Sequence, residues 1–142
     1  MKGQIYLFKV SLDKKIYCII ELKGSFSLYK FAEAIVNAFD FELDHAFGFY
    51  NNIKNISKSS EVYTLFCDYG SRIKLHEKSV EKSYIDKVFE PGKKMLFLFD
   101  YGDDWRFLIE CLDVIKPEAK KKYPNIVERK GKAPSQYLDC ED

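Results

Sequence analysis

A strand–turn–strand pattern over residues 94–115 constrains the fold more than any other feature of the chain. Residues 94–100 and 105–115 are rich in apolar side chains, and Tyr101-Gly102-Asp103-Asp104 lies between them. Glycine and aspartate are typical of tight turns, so the two segments predict a β-hairpin. Because residues 95–98 are apolar without interruption, we expect the first strand to be covered on both faces and to lie centrally in a sheet.

A second hairpin and a helix are predicted nearer the N-terminus. Residues 4–12 and 15–23 are rich in β-branched and aromatic residues, and Asp13-Lys14 between them suits a tight turn. Residues 28–39 carry apolar side chains at helical spacing, with Ser27 as the expected N-cap. This spacing predicts a helix that packs on the sheet.

Shorter elements are predicted between the helix and the second hairpin. Residues 46–50 resemble a strand, residues 51–60 are polar and predict a loop, and residues 61–67 fit a strand better than a short helix. Residues 79–89 predict a short helix that ends at Pro91-Gly92. The order ββαβ(α)ββ predicts an α+β fold with a mostly antiparallel sheet and a helix packed across one face.

The length of 142 residues fits a single domain, and the composition changes near its end. Residues 116–132 contain seven basic and two acidic side chains, and prolines interrupt any regular pattern after residue 116. We therefore expect an α+β domain over residues 1–116. Residues 117–142 are expected to form a basic, mostly extended segment that packs on this domain or trails from it.

The composition excludes several classes of protein. Hydrophobic residues make up 46% of the chain, too many for a disordered protein, and 23 basic against 22 acidic residues give a net charge of only +1. No apolar run is long enough to span a membrane, and the N-terminus lacks the pattern of a signal peptide, so we expect a cytoplasmic protein. Its isolated cysteines, Cys18, Cys67, Cys111 and Cys140, are expected to be core thiols, with exposure left open for Cys140 near the end of the chain.

The carboxylates of residues 100–104 allow three interpretations. Two or three of them could bind a hard divalent cation, or their mutual repulsion could raise the pKa of one. Turn chemistry is favoured, because glycine permits unusual backbone angles and aspartate accepts hydrogen bonds from amides within a turn. His45, which follows Asp44 after the helix, is interpreted as a capping or packing residue more readily than as a ligand.

Four short segments carry a family resemblance. They are Tyr6…Leu12, Asp44-His45-x-Phe-x-Phe49, Phe99-Asp100-Tyr101-Gly102-Asp103-Asp104-Trp105, and Gly131-x-Ala-Pro134…Asp139-Cys140. The Asp-x-Gly-Asp-x-Trp core of the third segment is the most specific part. In this order, and over nearly the whole chain, the segments resemble the plasmid pRiA4b ORF-three-like family.

The resemblance carries over to this chain only in part. The residues that match the central motif are Asp100, Gly102, Asp103 and Trp105. His45 matches the first histidine of the family's His-x-His-x-Phe segment, but Phe47 and Phe107 stand where the family has further histidines. The terminal segment lacks the family's glutamate and paired glycines. Since phenylalanine neither binds a metal nor transfers a proton, the resemblance implies a divergent member without catalysis.

The leading functional hypothesis is a small non-catalytic binding or interaction domain that needs no cofactor. Its contact residues, for an unidentified protein partner or ligand, are predicted to be His45, Asp100, Asp103, Asp104 and Trp105. A catalytic alternative, ranked third, is a metal-dependent, hydrolase-like activity at His45, Asp100 and Asp103. That hypothesis is less favoured, because the ligand set is short for a catalytic metal site.

The second hypothesis is a nucleic-acid-associated accessory protein of a mobile element. Some members of the resembling family look like passengers of mobile elements, and the basic segment 116–132 supplies positive charge. Its candidate residues are Lys120, Lys121, Lys122, Arg129, Lys130 and Lys132. Only Tyr123 lies among them as a stacking residue, and a basic run is more often a solvated surface, so this hypothesis ranks below the first.

Overall fold

The computed structural model describes residues 3–66 and 77–136 of the chain. Its helices and strands are β1 (Ile5–Ser11), β2 (Tyr17–Lys23), α1 (Leu28–Ala38), β3 (Phe47–Tyr50), β4 (Val62–Thr64), β5 (Glu77–Ser79), α2 (Ile85–Val88), β6 (Lys94–Phe99), β7 (Trp105–Ile115) and β8 (Asn125–Lys130). A 3₁₀ turn at Ile56–Lys58 lies within the predicted loop. Within these ranges the strands form one eight-stranded sheet in the order β5-β4-β3-β6-β7-β1-β2-β8.

The sheet confirms the predicted α+β fold. All neighbouring strands are antiparallel except β4 and β5, which are parallel. Strand β6 pairs with β3 on one side and β7 on the other, so the uninterrupted apolar strand is central, as predicted. Both predicted hairpins are present, and β1 joins them by pairing with β7.

Helix α1 covers one face of the sheet, and aromatic rings fill the space between them. Ser27 caps the helix as predicted, because its Oγ accepts a hydrogen bond from the amide of Lys30 at 3.1 Å. The ring of Phe31 lies 4.5 Å from that of Phe8 and 5.8 Å from that of Phe49, measured between centroids. Alternate residues of the central strands point toward this face, and their burial drives the packing.

The predicted helix over residues 79–89 is wrong for most of its length, since only Ile85–Val88 is helical. Residues 77–79 instead form β5 beside β4. The carbonyl oxygens of Val80 and Ser83 accept hydrogen bonds from the amides of Tyr29 and Leu28, at 3.1 and 2.8 Å. The first turn of α1 leaves such amides without helical partners, so this tertiary pairing replaces the local helix.

The C-terminal segment contributes a strand where mostly extended coil was predicted. Residues Asn125–Lys130 form β8, which pairs antiparallel with β2 at the outer edge of the sheet. Its exposed residues include Ile126 and Val127. No helix in the described part of the chain is long and apolar enough to cross a membrane.

The predicted thiol burial is confirmed for Cys18 and Cys111, which are both free and buried. Burial raises the pKa of the Cys111 thiol to about 11, so the thiol stays protonated near neutral pH. Cys67 and Cys140 lie outside the described residues.

Candidate functional site

The loop before β3 and the turn after β6 meet at one end of the sheet. These strands are antiparallel neighbours, and Phe47 at the start of β3 pairs with Phe99 at the end of β6. The amide of Asp100 then continues the ladder by donating a hydrogen bond to the carbonyl oxygen of Ala46 at 2.9 Å. His45 and Asp100, which are far apart in sequence, are therefore brought together by the sheet register.

Asp100 organises the turn of the second hairpin. Its Oδ1 accepts hydrogen bonds from the amides of Gly102 and Asp103, at 3.2 and 3.3 Å, and its carbonyl oxygen accepts one from the amide of Asp104 at 2.6 Å. Its φ of 63° lies in the left-handed region, which aspartate tolerates better than most residues. The side chain is 7% exposed, so this carboxylate is buried in its own turn. Turn chemistry, the favoured interpretation, accounts for one of its two oxygens.

The second oxygen of Asp100 faces His45. The His45 Nδ1 lies 2.7 Å from Asp44 Oδ1 and 3.6 Å from Asp100 Oδ2, and the imidazole is 40% exposed. The hydrogen bond to Asp44 raises the pKa of His45. Partial burial opposes that shift, and the negative charges of Asp100, Asp44 and Asp103 add to it. The imidazolium form is thus favoured, and it neutralises part of the charge of the surrounding carboxylates.

Trp105 lies at the edge of the same site, half-buried. Its ring meets the ring of Phe41 edge-on, with centroids 4.7 Å apart. The indole Nε1 is buried and has no hydrogen-bond partner among residues 3–66 and 77–136. An indole N–H that is buried usually finds an acceptor, so this is an unusual feature of the site.

Asp103 and Asp104 are exposed in the turn but differ in their surroundings. Asp104 Oδ1 accepts a hydrogen bond from Arg106 Nε at 3.0 Å. The carboxylate of Asp103 has no hydrogen bond or ion pair within the described ranges, although its charge acts on His45. Of the predicted metal ligands, His45 and Asp100 are brought together, while Asp103 is exposed to solvent. No group of three or more His, Cys, Asp or Glu side chains that could hold a metal ion occurs in the described part of the chain.

Gln136 is a site residue that sequence reasoning missed. Its Oε1 accepts a hydrogen bond from the amide of Glu42 at 2.8 Å, and its Nε2 donates to the Glu42 carbonyl oxygen at 3.0 Å and to Asp44 Oδ1 at 3.1 Å. The C-terminal segment therefore reaches the loop that carries His45. A glutamine that recognises backbone groups leaves no sequence signal. Asp139, in the terminal segment of the family resemblance, lies outside the described residues.

The two phenylalanines at the family's histidine positions are core residues. Phe47 and Phe107 are both 0% exposed. Each packs on the ring of Phe97, with centroids 5.6 and 5.7 Å apart respectively. These positions line the apolar side of the sheet beneath the site and supply no polar group to it.

Tyr101 extends from the turn over β3 and was also missed. Its hydroxyl lies 2.6 Å from that of Tyr50, and a Cβ added at Gly48 would come within 2.7 Å of the Tyr101 oxygen. The Tyr101 residue is 36% exposed, but its hydroxyl packs against Tyr50 and over Gly48. Burial and the adjacent Tyr50 raise the pKa of Tyr101, so the phenol remains neutral. Gly48 thus permits a contact that fixes the turn against β3.

The six basic residues predicted for nucleic-acid binding differ in their surroundings, because Lys121 is engaged in ion pairs within the protein. Lys121 Nζ lies 2.8 Å from Glu118 Oε2 and 2.8 Å from Glu21 Oε1. Glu21 is buried, yet hydrogen bonds from Lys121 and Asn125 outweigh that burial and lower its pKa. Lys121 therefore serves an internal ion pair. The remaining five candidates are exposed, and they are Lys120, Lys122, Arg129, Lys130 and Lys132.

A family model described as plasmid pRiA4b ORF-3-like protein matches residues 4–141. The chain belongs to this family. The match covers nearly the whole sequence and confirms the resemblance inferred from the motifs. In this pRiA4b ORF-3-like protein, the central motif forms the turn that Asp100 organises.

A solved structure supports the fold of this pRiA4b ORF-3-like protein. The crystal structure of a protein of unknown function, MM3350 from Methanosarcina mazei Go1, resembles it with a TM-score of 0.75 at 17% sequence identity. The similarity covers 94% of this chain and 73% of that one. No curated protein matches the chain. At this identity the likeness shows a shared fold.

Proposed function

We propose that this pRiA4b ORF-3-like protein is a small, non-catalytic, cytoplasmic interaction domain. Its contact surface would be the sheet end formed by His45, Asp100, Asp103, Asp104 and Trp105. The observation that carries the proposal is an exposed carboxylate, Asp103, two residues before the half-buried Trp105 on a turn fixed by Asp100. A rigid turn that presents such groups is suited to binding, because little conformational freedom is lost on contact.

Asp100 and the Nδ1 atom of His45 are committed to structure, which supports a non-catalytic role. One oxygen of Asp100 accepts two turn amides and the other faces an imidazole whose Nδ1 is already bonded to Asp44. A general acid or base needs an atom that can reach a substrate proton. The buried Phe47 and Phe107 add no such atom.

The charge pattern favours a partner with lysine or arginine side chains. Asp104 is paired with Arg106, and Asp44 and Asp100 with His45, whereas Asp103 has no such pair in the part of the chain described. A cationic side chain next to Asp103 would gain an ion pair. We therefore propose that the partner is a protein segment rich in basic residues.

Fluorescence provides a direct test, because Trp105 is the only tryptophan of the chain. A hexa-arginine peptide is titrated into the protein at low salt, with a hexa-glutamate peptide as the charge control. We expect saturable quenching by the first peptide and none by the second. Asp103→Lys should weaken binding by about tenfold, because it replaces attraction with repulsion at the contact.

Glu33→Lys is the matched control, since Glu33 is also exposed but lies on α1. It makes the same change in net charge and should leave the affinity close to that of the unaltered protein. Equal weakening by both substitutions would show that only net charge matters and would overturn the assigned surface. Absence of quenching by hexa-arginine would overturn the assigned class of partner.

A further inference from the structure

The sheet face opposite α1 carries a pocket whose lining includes none of the five residues of the interaction surface proposed above. Its volume is about 390 Å³, within the range of small-ligand pockets. The apolar lining comes from Leu12, Leu96 and Leu108, and the basic lining from Lys9, Lys14 and Arg106. Asp13, Glu110 and Ser11 complete the lining.

The strand registers place the apolar floor at the centre of the pocket. Leu108 on β7 pairs with Leu96 on β6 and with Ser11 on β1, so these three residues form a row across the sheet. Leu96 is buried and Leu108 half-buried. Arg106 and Glu110 lie two residues to either side of Leu108 on the same face. A hydrocarbon chain on this floor would thus have a charged group within reach at each end.

The pocket lining carries three basic and two acidic side chains, and both acidic side chains already have partners. Asp13 Oδ1 accepts hydrogen bonds from the amides of Lys15 and Ile16, at 2.7 and 2.9 Å. Glu110 pairs in register with Lys9 on one side and Lys94 on the other, with Lys94 Nζ 3.9 Å from its Oε1. Lys9 also extends over the ring of Tyr17, with its Nζ 4.4 Å from the ring centroid.

Arg106 is held in a position suited to an anion. Its Nε donates a hydrogen bond to Asp104 Oδ1 at 3.0 Å, which fixes the guanidinium plane. Its two terminal amino groups have no hydrogen bond within residues 3–66 and 77–136. Two parallel N–H donors at the end of a fixed guanidinium match the geometry of a carboxylate.

We propose that this pocket binds a small amphipathic carboxylate, with its hydrocarbon part on Leu96 and Leu108 and its carboxylate on Arg106. Positive charge at the rim and an apolar floor together select this class over a neutral or cationic molecule of the same size. The site lies on the opposite face from Trp105, and it touches the interaction surface proposed above only through the pair of Arg106 with Asp104.

Three eight-carbon probes that differ only in their head group test the proposal: octanoate, octanol and octylammonium. Binding to the full chain is measured by titration calorimetry at pH 7. We expect one saturable site with octanoate binding tightest, octanol at least about tenfold weaker, and octylammonium undetectable, because a charge-assisted bidentate contact contributes more than tenfold. Equal binding of octanoate and octylammonium, or the absence of saturable octanoate binding, would overturn the proposal.

Arg106→Gln should bring the affinity for octanoate down to that for octanol. Arg129→Gln, an exposed arginine on the strand β8, is the matched control and should leave both affinities unchanged. Equal loss in the two variants would overturn the role of Arg106. Ser11→Phe tests the location independently of charge: phenylalanine is favoured in strands and would fill the floor, so both octanoate and octanol should lose binding. Unchanged binding in a folded Ser11→Phe protein would place the ligand elsewhere and reject the pocket.

Discussion

The two hairpin turns of this protein use the same aspartate chemistry in different surroundings. Asp13 in the β1–β2 turn and Asp100 in the β6–β7 turn each accept two amide hydrogen bonds on Oδ1. Asp13 is exposed and its backbone has an ordinary φ, whereas Asp100 is buried with a φ of 63°. The first turn closes its hairpin and contributes to the lining of the pocket described above.

This difference shows what distinguishes the candidate site from an ordinary hairpin turn. At Asp100 the second carboxylate oxygen lies 3.6 Å from an imidazole, because the sheet register brings the loop before β3 alongside the turn. Tyr101 adds a contact to Tyr50 across β3. Both turns therefore share the aspartate that accepts two amide hydrogen bonds. Only the second turn also has a neighbouring imidazole and a tyrosine pair.

Replacing each aspartate by alanine should separate the turns most clearly. We expect Asp100→Ala to lower the free energy of unfolding by about 3 kcal/mol, the sum of two lost hydrogen bonds and the strain of alanine at positive φ. Asp13→Ala should cost about 1 kcal/mol, because its exposed amides regain hydrogen bonds to water. Urea denaturation of both variants measures the difference.

Asp100→Asn is the control for this experiment. Asparagine keeps an acceptor oxygen and tolerates positive φ, so most of the stability should return. Equal losses for Asp100→Ala and Asp13→Ala would show that burial and the positive φ of Asp100 add nothing to the cost in the second turn.

Tyr101→Phe should have the next largest effect. It removes the hydroxyl pair with Tyr50, worth about 1 kcal/mol, while the ring and its contacts remain. Lys14→Ala at the exposed tip of the other hairpin should change the free energy of unfolding by less than about 0.5 kcal/mol. If thermal and urea unfolding show the same stability for Tyr101→Phe as for Lys14→Ala, then the tyrosine pair does not fix the second turn.

Local patterns predicted the parts of this fold that local physics determines. Ser27 as a cap and the central position of β6 follow from side-chain chemistry and apolar patterning. Most of the predicted helix over 79–89 does not form, because the carbonyl oxygens of Val80 and Ser83 accept hydrogen bonds from amides of α1. Such pairings between distant segments leave no periodic signal, and β8 was missed for the same reason.

The candidate site was predictable to a similar extent. The motif identified Asp100 and the family segment identified His45, and both lie where the two segments meet. Asp44, the strongest partner of His45, was visible as its sequence neighbour, but its role depends on side-chain geometry. Gln136 depends on how the C-terminal segment crosses the loop, which local pattern does not encode.

The smallest expected effect is a pH dependence that only the second turn carries. Because the folded-state pKa of His45 lies above its ordinary value of about 6.5, protonation stabilises the native state. That contribution is fully present below about pH 6.5 and is lost as the pH rises through the raised pKa. NMR titration of the imidazole measures the pKa, and His45→Gln assigns its signal, since the chain has two histidines.

Two carboxylate variants then separate the causes of the raised pKa. Asp44→Asn should lower the pKa of His45 more than Asp100→Asn does, because the hydrogen bond to Asp44 is the largest cause and Asp100 acts through charge at longer distance. Asp13→Asn should leave that pKa unchanged. A larger shift from Asp100→Asn would mean that the buried carboxylate, through its second oxygen, is the main partner of the imidazole, and it would strengthen the contrast between the two turns.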